Sequence, residues 1–263
     1  MDALTALSLQ IEWGADEALA NLPVDRRSTA PPPATAQPAP IAPAVAPPAP
    51  ATPLARAQAL AAAAADLAAL RAALEAFDGC ALRATATSLV FGHGRPDGPV
   101  TLVADVPGAA EDRAGRPFAG PAGGFLDRML GSIGLDREAV YACSLLPWRP
   151  PGDRKPADAE IQLCLQFLWR HLALVRPRRV LLLGALAGRT LLPAVPQRRA
   201  RTGWQTLSIP GLPNPVPALA LGSPAAIQAT PSAKRDAWTD LLRLRRALDD
   251  EGWTTNSDNL ASV

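Results

Sequence analysis

From about Gly79 onward, short apolar runs of strand length alternate with longer segments of helical periodicity, and this limits the fold more than any other feature of the chain. Val100–Asp105 is an apolar run that stops at a Gly/Pro turn, and Gly123–Ile133 has helical spacing. Val140–Leu146 reads as a second buried strand, followed by a proline-rich turn at Pro147–Pro151. Asp158–Val175 carries an apolar helical face, Arg179–Leu183 is a strand in front of Gly184, and Gly184–Leu192 opens the next helix. Val216–Leu221 is a strand and Ser232–Leu248 a helix. Such an order predicts an α/β chain: a three-layer α/β/α sandwich with a mainly parallel central sheet. In these folds ligands bind beyond the carboxyl ends of the strands. The loops after residues 105, 146 and 221 are therefore where chemistry is expected.

The first part of the chain has a different texture. Residues 1–27 form an N-terminal segment with helically spaced apolar positions, among them Leu4, Leu7, Ile11, Leu19 and Leu22. Residues 28–53 are almost entirely Pro, Ala and Thr; such a stretch buries no core and reads as an extended, semi-rigid linker. Leu54–Ala76 is rich in Ala and Leu and predicts one strong helix. The globular domain is expected over 54–250, with a polar tail over 251–263. No apolar run reaches the roughly 20 residues of a membrane-spanning helix. Met1–Glu12 carries Asp2 and Glu12 and no early Lys or Arg, unlike a secretory signal. A cytoplasmic monomer is the expectation. Its three cysteines, Cys80, Cys143 and Cys164, are too few and too scattered for a disulfide framework and contain no C-x-x-C pair. The net charge of +2 neither demands nor excludes nucleic acid, but basic residues crowd the second half. They form either a nucleic-acid face or solvated helix surface.

One segment is far more specific. Val103–Gly124 (VADVPGAAEDRAGRPFAGPAGG) resembles the first motif of the uracil-DNA glycosylase superfamily, in its type-four, iron–sulfur branch. The matched positions are Asp105, Pro107, Gly108, Glu111, Asp112, Gly115, Pro117, Phe118, Gly120, Ala122 and Gly123. Further stretches follow in the family's order. Phe91–Gly94 resembles its F-G-x-G strand, Tyr141–Arg154 its Y-I-T-N…R-P-P-G-N-R segment, Arg176–Leu192 its R-P…L-G strand and helix, and Gly222–Trp238 its H-P-A-Y loop with the A-K-R-x-x-W continuation. The likeness covers roughly residues 74–248.

The resemblance implies a protein of base-excision DNA repair, a hydrolase that cleaves the N-glycosidic bond of a uracil flipped out of DNA. It places Asp105 at the acidic catalytic position and Phe118 under the flipped base, with Pro107 and Gly108 in the base pocket. The alternative for Asp105 is a cap on the turn or the first helix, and for Phe118 ordinary core. Three departures stand out. Asp105 is one methylene shorter than the usual Glu. Ser144 replaces the uracil-reading Asn and cannot make an amide's two-point contact. Ser223 replaces the leaving-group His and is a weaker, shorter donor. The two histidines lie elsewhere: His93 stands at the Glu of F-G-E-G, and His171 falls in a helix. Weakened, altered or absent uracil excision follows, and an inactive protein that binds DNA or a repair partner is the alternative. The N-terminal segment is a candidate for that protein contact.

The branch holds a 4Fe-4S cluster with four cysteines. Cys80 and Cys164 occupy two of those positions, while the other two align with Phe77 and Trp148. Two thiolates fall short of the usual set, so no cofactor is expected. For phosphate contacts the resemblance offers Arg149, Arg154, Lys234 and Arg235, although the last two could instead pair with Asp236 or Asp240.

Overall fold

The computed structural model describes residues 52–193 and 203–253. The N-terminal segment 1–27, all but the end of the linker 28–53, and Thr254–Val263 lie outside the described residues.

The chain enters through α1 (Pro53–Ala63) and α2 (Leu67–Ala76). The single helix expected over Leu54–Ala76 is thus two. The break falls where Asp66 turns extended and its carboxylate accepts from the Ala69 amide at 2.7 Å. An Asp inside an Ala/Leu run gains more as an N-cap than as an interior residue. Arg170 takes up the freed Ala64 carbonyl, donating from Nε at 2.9 Å and Nη2 at 2.6 Å. Then follow α3 (Ala81–Thr85), β1 (Gly92–Gly94), β2 (Thr101–Ala104), α4 (Ala109–Ala114), α5 (Pro121–Gly131) and β3 (Tyr141–Ser144). After a 3-10 turn at Pro151–Asp153 come α6 (Asp158–Val175), β4 (Val180–Leu183), α7 (Ala185–Leu191), β5 (Gln205–Leu207), β6 (Val216–Leu221), α8 (Pro224–Ala229) and α9 (Pro231–Asp249).

The sheet order is β1-β3-β2-β4-β6-β5. The four inner strands are parallel, and the short edge strands β1 and β5 run antiparallel to their neighbours. Pleating sends alternate residues to opposite faces. Val103, Cys143, Leu182 and Ala220 join a buried cluster with α1, α2, α6 and α7. Leu102, Ala142, Leu183 and Leu221 join a second cluster with α5, α8 and α9. This is the three-layer α/β/α arrangement that the alternation of runs requires. Beyond α9, Trp253 packs on the second cluster and Glu251 pairs with the buried Arg179. No helix among the described residues is long and apolar enough to cross a membrane.

Candidate active site at the carboxyl edge of the sheet

Strand register builds the site. Ala104 pairs with Ser144 on one side and with Leu183 on the other, and Leu183 pairs with Leu221. Four parallel strands therefore end level, and Ser144 at the end of β3 shares one edge with the residues just beyond the other three, Asp105, Gly184 and Gly222–Ser223. That is the location from which open α/β sheets bind ligands.

Asp105 spans from β2 to the start of α7. Its Oδ1 accepts from the Ala187 amide at 2.6 Å and its Oδ2 from the Leu186 amide at 3.2 Å. Of the roles open to Asp105 in the sequence, capping is thus realised, but on a different helix from the one that follows it. The carboxylate is half-buried. Burial pushes its pKa up, and the amides of Ala187 and Leu186 oppose that shift. Gly184 makes the arrangement possible: a Cβ there would lie 2.1 Å from Asp105 Cγ, and its φ of +147° is one that side chains rarely adopt.

The loop after Asp105 is closed by Glu111. Its Oε2 accepts from the Gly108 amide at 2.6 Å and its Oε1 from the Phe118 amide at 2.6 Å. Arg137 holds the far side, donating from Nη1 to the Phe118 carbonyl at 2.6 Å while its Nε pairs with Asp127. Between these clamps Phe118 sits at φ +55°, a left-handed conformation costing a non-glycine residue roughly 1–2 kcal/mol. Its ring is buried in the same cluster as Ala104, Leu221 and Ile227. Gly123 leaves room for the turn, since a Cβ there would lie 1.7 Å from the Phe118 carbonyl oxygen. Asp112 ties the following helix down by accepting from the Thr87 and Ser88 amides at 2.9 and 3.2 Å.

Over residues 91–242 the chain matches the model of the Uracil DNA glycosylase superfamily. It belongs to that superfamily. Among its relatives, a Type-4 uracil-DNA glycosylase of Pyrobaculum aerophilum is 33% identical over 138 residues, 52% of this chain and 70% of the relative. The Type-4 enzymes of Archaeoglobus fulgidus and Thermotoga maritima are 42% and 38% identical over 108 residues, 41% of this chain in each case. Those matches span 54% and 56% of the two relatives, little more than half their length.

Within this uracil DNA glycosylase fold, the other residues singled out from sequence have definite places. Pro107 is buried in the β2–α4 loop. Ser144 is 6% exposed, and its Oγ is buried with no hydrogen-bond partner among the described residues. Ser223 caps α8, its Oγ accepting from the Ala226 amide at 3.3 Å, which leaves its own proton free to donate. Arg149 is held by Asp153 at 2.8 and 3.0 Å, and Arg154 by Glu160 at 2.9 and 2.6 Å. Lys234 and Arg235 are exposed and in no ion pair among the described residues; Asp240 pairs with Arg243 instead. His93 meets Glu138 near the surface. His171 is core: it stacks on Phe91 with centroids 4.3 Å apart, bonds Tyr141 Oη at 2.7 Å, and burial pushes its pKa down to about 3. Cys80, Cys164, Phe77 and Trp148 all lie in the cluster on the α1/α2/α6 face, opposite to Phe118.

Sequence reasoning gave no role to Glu111, Arg137 or Gly184. Glu111 stands in the quoted motif, three residues after Gly108, at the spacing of a reciprocal cap. Nothing local marks Arg137 or Gly184, whose partners are distant in sequence. Replacing Glu111 by Gln turns one of two acceptors into a donor facing an amide. Glu111→Gln is expected to cost about 1–3 kcal/mol in thermal or denaturant unfolding, whereas Glu75→Gln on exposed α2 stays within about 0.5 kcal/mol.

Proposed function

We propose that the chain is a uracil-DNA glycosylase-like protein of base-excision DNA repair, which takes a base flipped from DNA and hydrolyses its N-glycosidic bond with weakened or altered catalysis. The observation that carries this reading is the rigid loop from Asp105 to Phe118, clamped by Glu111 and Arg137 at the carboxyl edge of the sheet. Around it the groups have separate tasks. Asp105 supplies negative charge opposite a sugar that becomes cationic as the bond breaks. Ser144 Oγ, buried and without a partner among the described residues, is a hydrogen-bonding group for one polar atom of the base. Ser223 has a proton to donate to the departing base. Lys234 and Arg235 are exposed cations available to phosphates, whereas Arg149 and Arg154 must first exchange a carboxylate.

A second reading, a DNA-binding protein without turnover, is favoured by one feature. Both oxygens of Asp105 already accept backbone amides, so a water must compete for the lone pairs that remain. The test is excision from single- and double-stranded oligonucleotides containing uracil or hypoxanthine, with binding measured in parallel. Slow release of base that falls a further 10-fold or more in Asp105→Asn is the expected result, on the order of a single catalytic group's contribution. Binding without release by the wild-type chain would replace the first reading with the second.

A further inference from the structure

We infer that an apolar plug stands in this chain where the type-four branch carries its iron–sulfur cluster, and that the protein folds and persists without iron. All four positions are buried in one cluster on the same face of the sheet: Phe77, Cys80, Trp148 and Cys164 are 1%, 3%, 3% and 1% exposed. The residues there do not fit a cluster. Two of the four positions carry aromatic rings, and the two remaining thiols are free and buried in the same apolar cluster. A cluster of this kind takes four thiolates. Among the described residues no group of three or more His, Cys, Asp or Glu gathers that could hold a metal ion.

The space is filled as well as the ligands lost. The Phe77 ring packs against Phe167 at 5.2 Å, and Arg56 lies over it at 5.9 Å. A Cβ on Gly79 would come within 2.5 Å of that ring, so the chain turns tightly around it. The cavity that Cys164 lines amounts to about 10 Å³, room for a single water at most. A cluster would join three stretches: the end of α2 with the start of α3, the loop after β3, and α6. Here the Phe77 ring joins the end of α2 to α6 through Phe167, and Trp148 is buried in the same cluster.

The test uses the full chain, produced in iron-replete cells and purified with and without oxygen. The expected product is colourless, lacks acid-labile sulfide and absorption near 400 nm, and melts at the same temperature with or without an iron chelator. Phe77→Ala lowers the melting midpoint by about 10 °C, as loss of a large core ring does. A folded chain carrying Phe77→Cys and Trp148→Cys together gains iron and colour. A brown wild-type protein with about four iron atoms per chain, a melt that drops with chelator, or a Phe77→Ala midpoint equal to wild type would each overturn the inference. So would a double cysteine variant that folds but stays colourless.

Discussion

Uracil excision rises steeply when Ser144→Asn and Ser223→His are introduced together. One well-placed donor to a developing anion contributes about 10²–10³-fold, and reading a base's polar edge contributes comparable discrimination. The expected gain for the pair is therefore on the order of 10³-fold or more in single-turnover release of uracil. Folding costs stay smaller. Loss of the Ser223 cap on α8 removes about 1 kcal/mol, and the larger Asn at a position 6% exposed adds about 1–3 kcal/mol of crowding. Thermal melting confirms that the variant is folded, and time courses on a uracil-containing single strand measure the gain. A folded double variant no faster than wild type would overturn the proposal that Ser144 and Ser223 weaken uracil excision.

Gly184→Ala is expected to damage the site severely by a single methyl. It forces φ +147° on an alanine and drives a Cβ into the carboxyl group of Asp105, which must leave the Leu186 and Ala187 amides. Strain of about 1–3 kcal/mol adds to a lost carboxylate–amide pairing of about 1–2 kcal/mol. The sum is roughly 3 kcal/mol, or about 6–12 °C in melting midpoint for a domain of this size. Gly188→Ala is the control. It lies within α7, a Cβ there meets nothing closer than Ala220 Cβ at 3.7 Å, and the change is expected to be neutral or stabilising by up to about 1 kcal/mol. Equal midpoints for the two variants would refute the assigned contact.

What was legible in the sequence was the part written in local pattern. Strands β2, β3, β4 and β6 appear as apolar runs because both their faces are buried, and their observed bounds fall inside or on the expected ones. The break at Asp66 was missed because helix propensity summed over an Ala/Leu run hides a single capping residue. β5 is three residues long and carries no period to detect. At the site, the motif placed Asp105, Ser144 and Ser223 at strand ends, and the level register of the strands puts all three on one edge. It did not reveal that Asp105 caps α7, because that contact links residues about 80 positions apart across β2 and β4.

The bidentate links of Arg149 to Asp153 and of Arg154 to Glu160 have a consequence for how this molecule would patrol a genome. Guanidinium groups already neutralised in-house contribute little to indiscriminate attraction for a polyanion, since few counterions are displaced on contact. On the proposed reading, attraction to intact duplex falls to exposed cations such as Lys234 and Arg235, and selectivity rests more on capture of an extruded nucleotide than on the track that leads to it.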